Sequence, residues 1–196
     1  MRVHGILIVC LLGIMVALLT VPVSADQSGT ATITGTLPQV LSLTVINPTQ
    51  SLNLNPGTTA TNSNVGLSVQ SPSPFSITVA DSSARNLGEE VAPHAGFMTN
   101  ATGNVYAVYP LDQALASPLQ LIVPASATYV STTVTGTSTS ATTGIPVAGE
   151  GLYSGNGGIN GRILPLTLSQ PVSNSDTVLP TSSNYRIDLL FTIETT

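Results

Sequence analysis

The sequence predicts an all-β protein, built as an antiparallel β-sandwich behind an N-terminal signal helix. Three observations predict this class. Beyond the N-terminus the chain is rich in Val, Thr, Ile and Leu, several stretches alternate apolar and polar side chains, and Pro and Gly separate those stretches. Alternation with a period of two places one apolar face on a core, and two such sheets packed face to face form a sandwich.

The N-terminal segment has the pattern of a secretory signal. Residues Met1–Gly5 carry one fixed positive charge, Arg2, an apolar run covers Ile6–Val21, and small or β-branched residues follow at Val23–Ala25. A helix of about 16 residues covers about 24 Å, less than a bilayer core of about 30 Å. We therefore expect a signal peptide at residues 1–25 and a single domain at 26–196. An uncleaved anchor is the alternative, and it would be the protein's only contact with the membrane. Both interpretations predict a secreted or cell-surface protein.

Five stretches show the alternation that predicts strands. Their apolar positions are Leu41, Leu43 and Val45; Val65, Leu67 and Val69; Phe75, Ile77 and Val79; Leu164, Leu166 and Leu168; and Ile187, Leu189, Phe191 and Ile193. We expect each set to face the core, with the intervening polar residues facing solvent.

The connections are predicted from turn residues and composition. Asn55-Pro56-Gly57 is a strong turn signal, and Asp81–Phe97 is a polar excursion that holds many of the ionisable groups. A short helix is expected only at Gln113–Ala116. Thr132–Thr143 fits either a strand with an exposed edge or a flexible loop, and the glycines of Gly149–Gly161 suggest a long mobile connection.

The composition excludes several classes of function. Charged residues are 7% of the chain, the net charge is −5, and no lysine is present. Nucleic acids and anionic lipids both require a basic surface, so neither is an expected partner. The single cysteine, Cys10, lies in the predicted signal, so no disulfide is expected in residues 26–196.

The order of strands and turns resembles a known group of proteins. An alternating segment, the Asn55-Pro56-Gly57 turn, the strands Val65–Val69 and Phe75–Val79, and the closing segment Tyr185–Thr192 are similar to secreted Ig-like β-sandwich modules of microbial surfaces, including WxL-type and spore-coat-U-like domains. The resemblance implies an Ig-like fold and a surface or fibre-building role. The chain has no tryptophan, so the WxL motif is absent and peptidoglycan attachment is not implied.

No combination of residues predicts catalysis. His94 lacks the nucleophile motif of a hydrolase, and its spacing to Glu90 would need a helix that Pro93 disfavours. Asp81 and Asp176 lack the glycine of aspartic-protease motifs and are interpreted as turn residues. We therefore expect no enzyme activity, cofactor or metal.

Three functions remain open. The leading hypothesis is a structural protein of the cell exterior, with other copies of itself or other envelope proteins as partners, in which a segment such as Thr30–Thr36 adds to a neighbour's sheet edge. A second is a type IV pilin-like subunit that retains Ile6–Ala25 as a filament helix. A third is an adhesin or binding module. Its candidate loop contacts are Tyr106, Tyr109 and Tyr153. Asn100 is a candidate glycosylation site, because Asn100-Ala101-Thr102 is a sequon.

Overall fold

The structure is a computed structural model that describes residues 40–83, 94–107, 113–129 and 132–196. The predicted signal peptide, Thr30–Thr36 and Tyr109 lie outside these residues. Within them every regular element is a β-strand, which confirms the all-β class. None of the described residues belongs to a helix that is long and apolar enough to span a membrane.

The described residues form twelve strands in three sheets, and all pairings within these sheets are antiparallel. The four-stranded sheet has the order β1-β2-β10-β6, with β1 at Ser42–Ile46, β2 at Thr59–Ser71, β10 at Ile159–Pro171 and β6 at Gln120–Ile122. The five-stranded sheet has the order β12-β3-β9-β8-β7, with β12 at Leu189–Thr195, β3 at Phe75–Asp81, β9 at Glu150–Gly155, β8 at Thr132–Gly136 and β7 at Ser126–Tyr129. A small sheet has the order β11-β4-β5, with β11 at Asn184–Arg186, β4 at Thr99–Thr102 and β5 at Val105–Tyr106.

The four-stranded and five-stranded sheets contribute to one hydrophobic core. The alternating residues of β2 and β3 are buried as predicted, and Leu67, Val69, Ile77 and Val79 are each 0% exposed. Residues of β6, β8, β9 and β10 belong to the same cluster. Burial of each large apolar side chain contributes about 1.5–3 kcal/mol, so this cluster is the main source of stability in the described chain.

Two local predictions differ from the structure. Residues Gln113–Ala116 are not helical; Ala114 instead forms an isolated bridge to Thr99. Residues Gly149–Gly161 are not a long loop, because strands β9 and β10 occupy most of them and leave only residues 156–158 as a connection. That connection joins two different sheets, and its Gly157 and Gly158 have φ angles of 85° and 71°, which other residues rarely adopt.

The closing segment also differs from the single strand that its alternation predicts. β11 pairs with β4 in the small sheet, whereas β12 pairs with β3 in the five-stranded sheet. The chain therefore changes sheets at Ile187 and Asp188.

Candidate functional site

An open groove lies between two edge segments of the sheets. One rim is residues 48–54, which follow β1, and the other is residues 184–191, which include β11 and the start of β12. The groove has a volume of about 710 Å³. Between the rims the groove is lined by the apolar side chains of Val45, Val65, Met98, Leu119 and Leu168 and by the polar side chain of Asn104.

The first rim is formed where β1 ends. Asn47 has a φ of 53°, and its side-chain amide donates a hydrogen bond to the carbonyl of Asn64 at 2.8 Å. Pro48 has no N–H to continue the ladder with β2. The Asn62 side chain then donates to the Gln50 side chain at 3.0 Å and to the Ser51 carbonyl at 3.2 Å. These bonds hold the segment beside β2 without forming a regular strand pair.

The apolar residues of both rims are only half-buried. On the first rim, Leu52 and Leu54 alternate with exposed neighbours. On the second rim, Ile187, Leu189 and Phe191 pack against the core but retain part of their exposure. The inward residues of the central strands β2 and β3 are almost fully buried by comparison, so the core is incompletely covered along the groove.

Both β1 and β12 are edge strands. In the residues that the structure describes, β1 pairs only with β2, and β12 pairs only with β3. An edge strand presents backbone N–H and C=O groups that a further strand can bond. The groove therefore combines half-buried apolar side chains with an open ladder edge.

A buried carboxylate fixes the second rim. Asp81, which is 1% exposed, accepts hydrogen bonds from the Ser83 backbone at 3.0 Å, the Ser83 hydroxyl at 2.5 Å and the Gly96 backbone at 2.8 Å. The Ser83 hydroxyl oxygen in turn accepts from the Asp188 N–H at 3.0 Å, and the Ser82 N–H donates to the Asp188 carbonyl at 2.9 Å. The interpretation of Asp81 as a turn residue is consistent with this geometry.

The ionic groups at the groove are paired with each other. Arg186 lies 3.0 Å from the carboxylate of Asp188, and it also donates to the Asn104 side chain. Its guanidinium carbon is 5.7 Å from the centre of the Tyr106 ring. The pair is partly exposed, so we expect it to contribute less than about 1 kcal/mol to stability. Its charges compensate one another, which leaves the groove without net charge from this rim.

Two of the three tyrosines predicted as loop contacts, Tyr106 and Tyr153, lie on strands. Tyr153, on β9, is 5% exposed, and its hydroxyl donates to the Pro165 carbonyl. Tyr106, on β5, is 6% exposed. Burial raises the pKa of Tyr106 to about 12 and raises that of Tyr153 further. Neither hydroxyl is presented to solvent, and the structure does not bring Tyr106 and Tyr153 together on one sheet.

Asn100 lies on β4, the central strand of the small sheet. Its side chain is half-buried, and its carbonyl oxygen accepts a hydrogen bond from the Gln113 backbone at 2.7 Å. A glycan attached to the amide nitrogen would have to leave through the remaining exposed part of this side chain. Glycosylation at Asn100 stays a prediction.

The described ranges contain no cluster of three or more His, Cys, Asp or Glu residues that could hold a metal ion. Glu90 lies outside those ranges, and the His94 ring makes an edge contact with Phe97. The groove was not predicted from the sequence. One feature of the sequence relates to the groove. The apolar residues of β12 continue the alternation that begins at Ile187, although the chain changes sheets between them.

Comparisons with known proteins returned no relative. No family model matches the chain, and no curated protein or solved structure matches it significantly.

Proposed function

We propose that this protein is a non-catalytic structural protein of the cell surface or the extracellular space, which assembles with copies of itself by β-strand addition. The observation that carries the proposal is the open apolar groove between residues 48–54 and 184–191. In a monomer, the inward-facing apolar residues of the two edge strands would stay half-exposed to water, which is unfavourable, whereas an added strand would cover them.

The proposal includes the finer fold. We infer that the four-stranded and five-stranded sheets are the two layers of an Ig-like β-sandwich, because both supply residues to one core cluster. In such a fold the groove lies where one sheet edge faces the other, which is a position that a peptide strand can fill.

The composition supports assembly outside the cytoplasm. The predicted signal at residues 1–25 directs export, and the remaining chain has no cysteine, so it forms no disulfide. Few charges have to be desolvated when copies pack, since only 7% of residues are charged. Strand addition gives affinity through backbone hydrogen bonds, and it requires no catalytic or metal site.

Removal of the proposed donor tests the proposal. The full coding sequence is expressed with its own leader, and the exported protein is compared with a variant that lacks residues 26–36. We expect the intact protein to form oligomers or filaments in light scattering and electron microscopy, and the shortened protein to be a folded monomer by circular dichroism. Equal assembly of both proteins would show that the N-terminal segment donates no strand.

A pilin-like subunit is the second candidate, because Arg2 and Gly5 before the apolar run Ile6–Val21 resemble a short type IV pilin leader. It would assemble through the retained helix Ile6–Ala25 instead of the groove. The N-terminal residue of the native protein separates these two proposals. The adhesin hypothesis stays a prediction, and its candidate contacts Tyr106 and Tyr153 are buried.

A further inference from the structure

We propose that the groove accepts residues Thr30–Leu37 of a second copy of this chain, which pair with the open edge of β12. The inference rests on the proposed function and names both the acceptor surface and the donor. It predicts that each subunit gives a strand to one neighbour and receives a strand from another.

The donor has the chemistry that the groove requires. In Thr30–Leu37 the residues Ala31, Ile33, Gly35 and Leu37 share one face of an extended strand, and threonines occupy the other face. The apolar face would cover half-buried side chains such as Leu52 and Phe191, while the threonines would remain in water. No charged residue lies between Asp26 and Asp81, so insertion buries no charge of the donor.

The lengths also agree. Strand β12 has seven residues, of which the first part lines the groove. A donor of similar length would extend about 23 Å at about 3.3 Å per residue, and could bond along most of that edge. Among the described residues, Arg186 and Asp188 of this rim form a salt bridge with each other, so the groove does not require a charged donor.

The register of β1 argues against a tight hairpin between the donor segment and β1 of the same chain. A hairpin with the two-residue turn Pro38-Gln39 would place Ile33 opposite Thr44, and Thr44 faces solvent. Directly opposed residues of an antiparallel pair share a face, so the apolar side of the donor would point away from the core.

A three-residue turn would direct the apolar side of the donor towards the core, but it requires a particular backbone conformation at the end of the turn. Such turns commonly end with a residue at positive φ. The last residue of that turn would be Val40, whereas Asn47 is the non-glycine residue with positive φ in the described ranges. A donor from another copy needs neither turn.

Donation between copies has a defined outcome for assembly. The donor and the groove are different parts of the chain, so each contact joins two unlike segments and is heterologous. Repetition of a heterologous contact produces a ring when the rotation closes, or an open filament when it does not.

A pair of neighbouring substitutions tests the donor. Ile33→Asp places a carboxylate on the apolar face of the segment, and Thr34→Asp places the same charge on the opposite face as a matched control. We expect Ile33→Asp to weaken assembly by about 100-fold or more, because an unpaired charge would have to enter an apolar groove, and Thr34→Asp to assemble nearly as well as the wild type. Both changes lie outside the described fold, so circular dichroism of the monomer should be unchanged.

A disulfide trap locates the acceptor. In a Cys10→Ser background, Ile33→Cys is combined with Met98→Cys in the groove, or with Thr128→Cys on the opposite edge strand β7 as a control. We expect the first pair to give a ladder of covalent oligomers on a non-reducing gel, and the second pair to give monomer.

The two readouts separate the inference from the proposed function. If the wild type assembles but Ile33→Asp assembles equally well, or if no ladder forms with Met98→Cys, the groove is not the acceptor although self-assembly stands. If the first pair forms an internal disulfide in a monomer, the segment fills its own groove and donation between copies is wrong. A wild-type protein that stays monomeric at high concentration overturns both proposals.

Discussion

Replacement of the buried carboxylate by an amide, Asp81→Asn, should destabilise the fold and loosen the second rim of the groove. One carboxylate oxygen accepts from the Ser83 N–H and hydroxyl, and the other accepts from the Gly96 N–H at 2.8 Å. An asparagine can keep the two bonds from Ser83, but its NH₂ group would then face the Gly96 N–H, donor to donor. Asp81 is 1% exposed, so water cannot readily replace the lost bond.

The magnitude follows from that lost bond. A hydrogen bond to a charged group contributes about 1.5–3 kcal/mol, and an unsatisfied buried donor costs about 1–3 kcal/mol. We expect Asp81→Asn to lower the free energy of unfolding by about 2–4 kcal/mol, which corresponds to roughly 5–15 °C in Tm for a domain of this size. Urea denaturation and calorimetry measure both quantities.

Asp176→Asn is the matched control. Asp176 also accepts two backbone N–H groups, from Ala116 at 2.7 Å and Ser173 at 2.6 Å, but it is half-exposed. Water can replace its bonds, so we expect a cost of about 1 kcal/mol. The reasoning is refuted if Asp81→Asn is as stable as the wild type, or if Asp176→Asn costs more than Asp81→Asn.

Three further measurements test other parts of the structure. Gly96→Ala should lower the free energy of unfolding in urea by more than about 3 kcal/mol, because φ is 82° and the new Cβ would lie 1.9 Å from a backbone nitrogen. Gly103→Ala is the control, because its new Cβ would have nothing within 4 Å, and it should lower the free energy by about 1 kcal/mol. Equal losses for the two variants would contradict this account. The pKa of Tyr106 is raised from 10.0 to about 12 in the folded state, so its stabilising contribution is complete below pH 10 and is lost as the pH rises through about 12. Unfolding free energies measured across that window should fall, with tyrosinate absorbance appearing as they fall; a constant free energy would contradict the burial of this group. The intact mass of the native protein should show a chain that begins at Asp26, whereas one that begins at Ile6 would establish the pilin-like alternative.

The sequence was sufficient to predict which faces of the main strands are buried. Val65, Leu67 and Val69 alternate with polar residues, and the structure buries all three. Such a pattern predicts which side chains are buried, because a strand has only two faces and only one of them contacts the core. It does not specify a strand's partner, so the change of sheet between Arg186 and Leu189 could not be predicted from alternation.

The position of Tyr153 shows a second limit. Leu152 and Tyr153 are adjacent in the chain, yet both are buried. A register shift in the pairing of β9 with β3, where Ile77 pairs with Tyr153 and Thr78 with Gly151, leaves Leu152 as an extra residue. A bulge of this kind turns two successive side chains to the same face. The sequence did not reveal it, because the surrounding glycines predicted a loop in place of this strand.

The groove itself depends on contacts across long distances in the sequence. Asn62 fixes the first rim through Gln50, and Ser83 fixes the second rim through Asp188. Neither pair has a local motif that reveals it. The donor segment Thr30–Thr36, in contrast, was named from the sequence, and its structural role stays a proposal.

The change of sheet at Ile187 and Asp188 has a consequence for unfolding. A three-stranded sheet with strands as short as two to four residues has too few contacts to persist alone. Its strand β11 is joined to β12 by two residues, so detachment of β12 from β3 would also remove the tether that holds β11 against β4. The small sheet should therefore melt together with the five-stranded sheet in one cooperative transition. In hydrogen exchange, the amides of β4 and β11 should then lose their protection at the same denaturant concentration as those of β12.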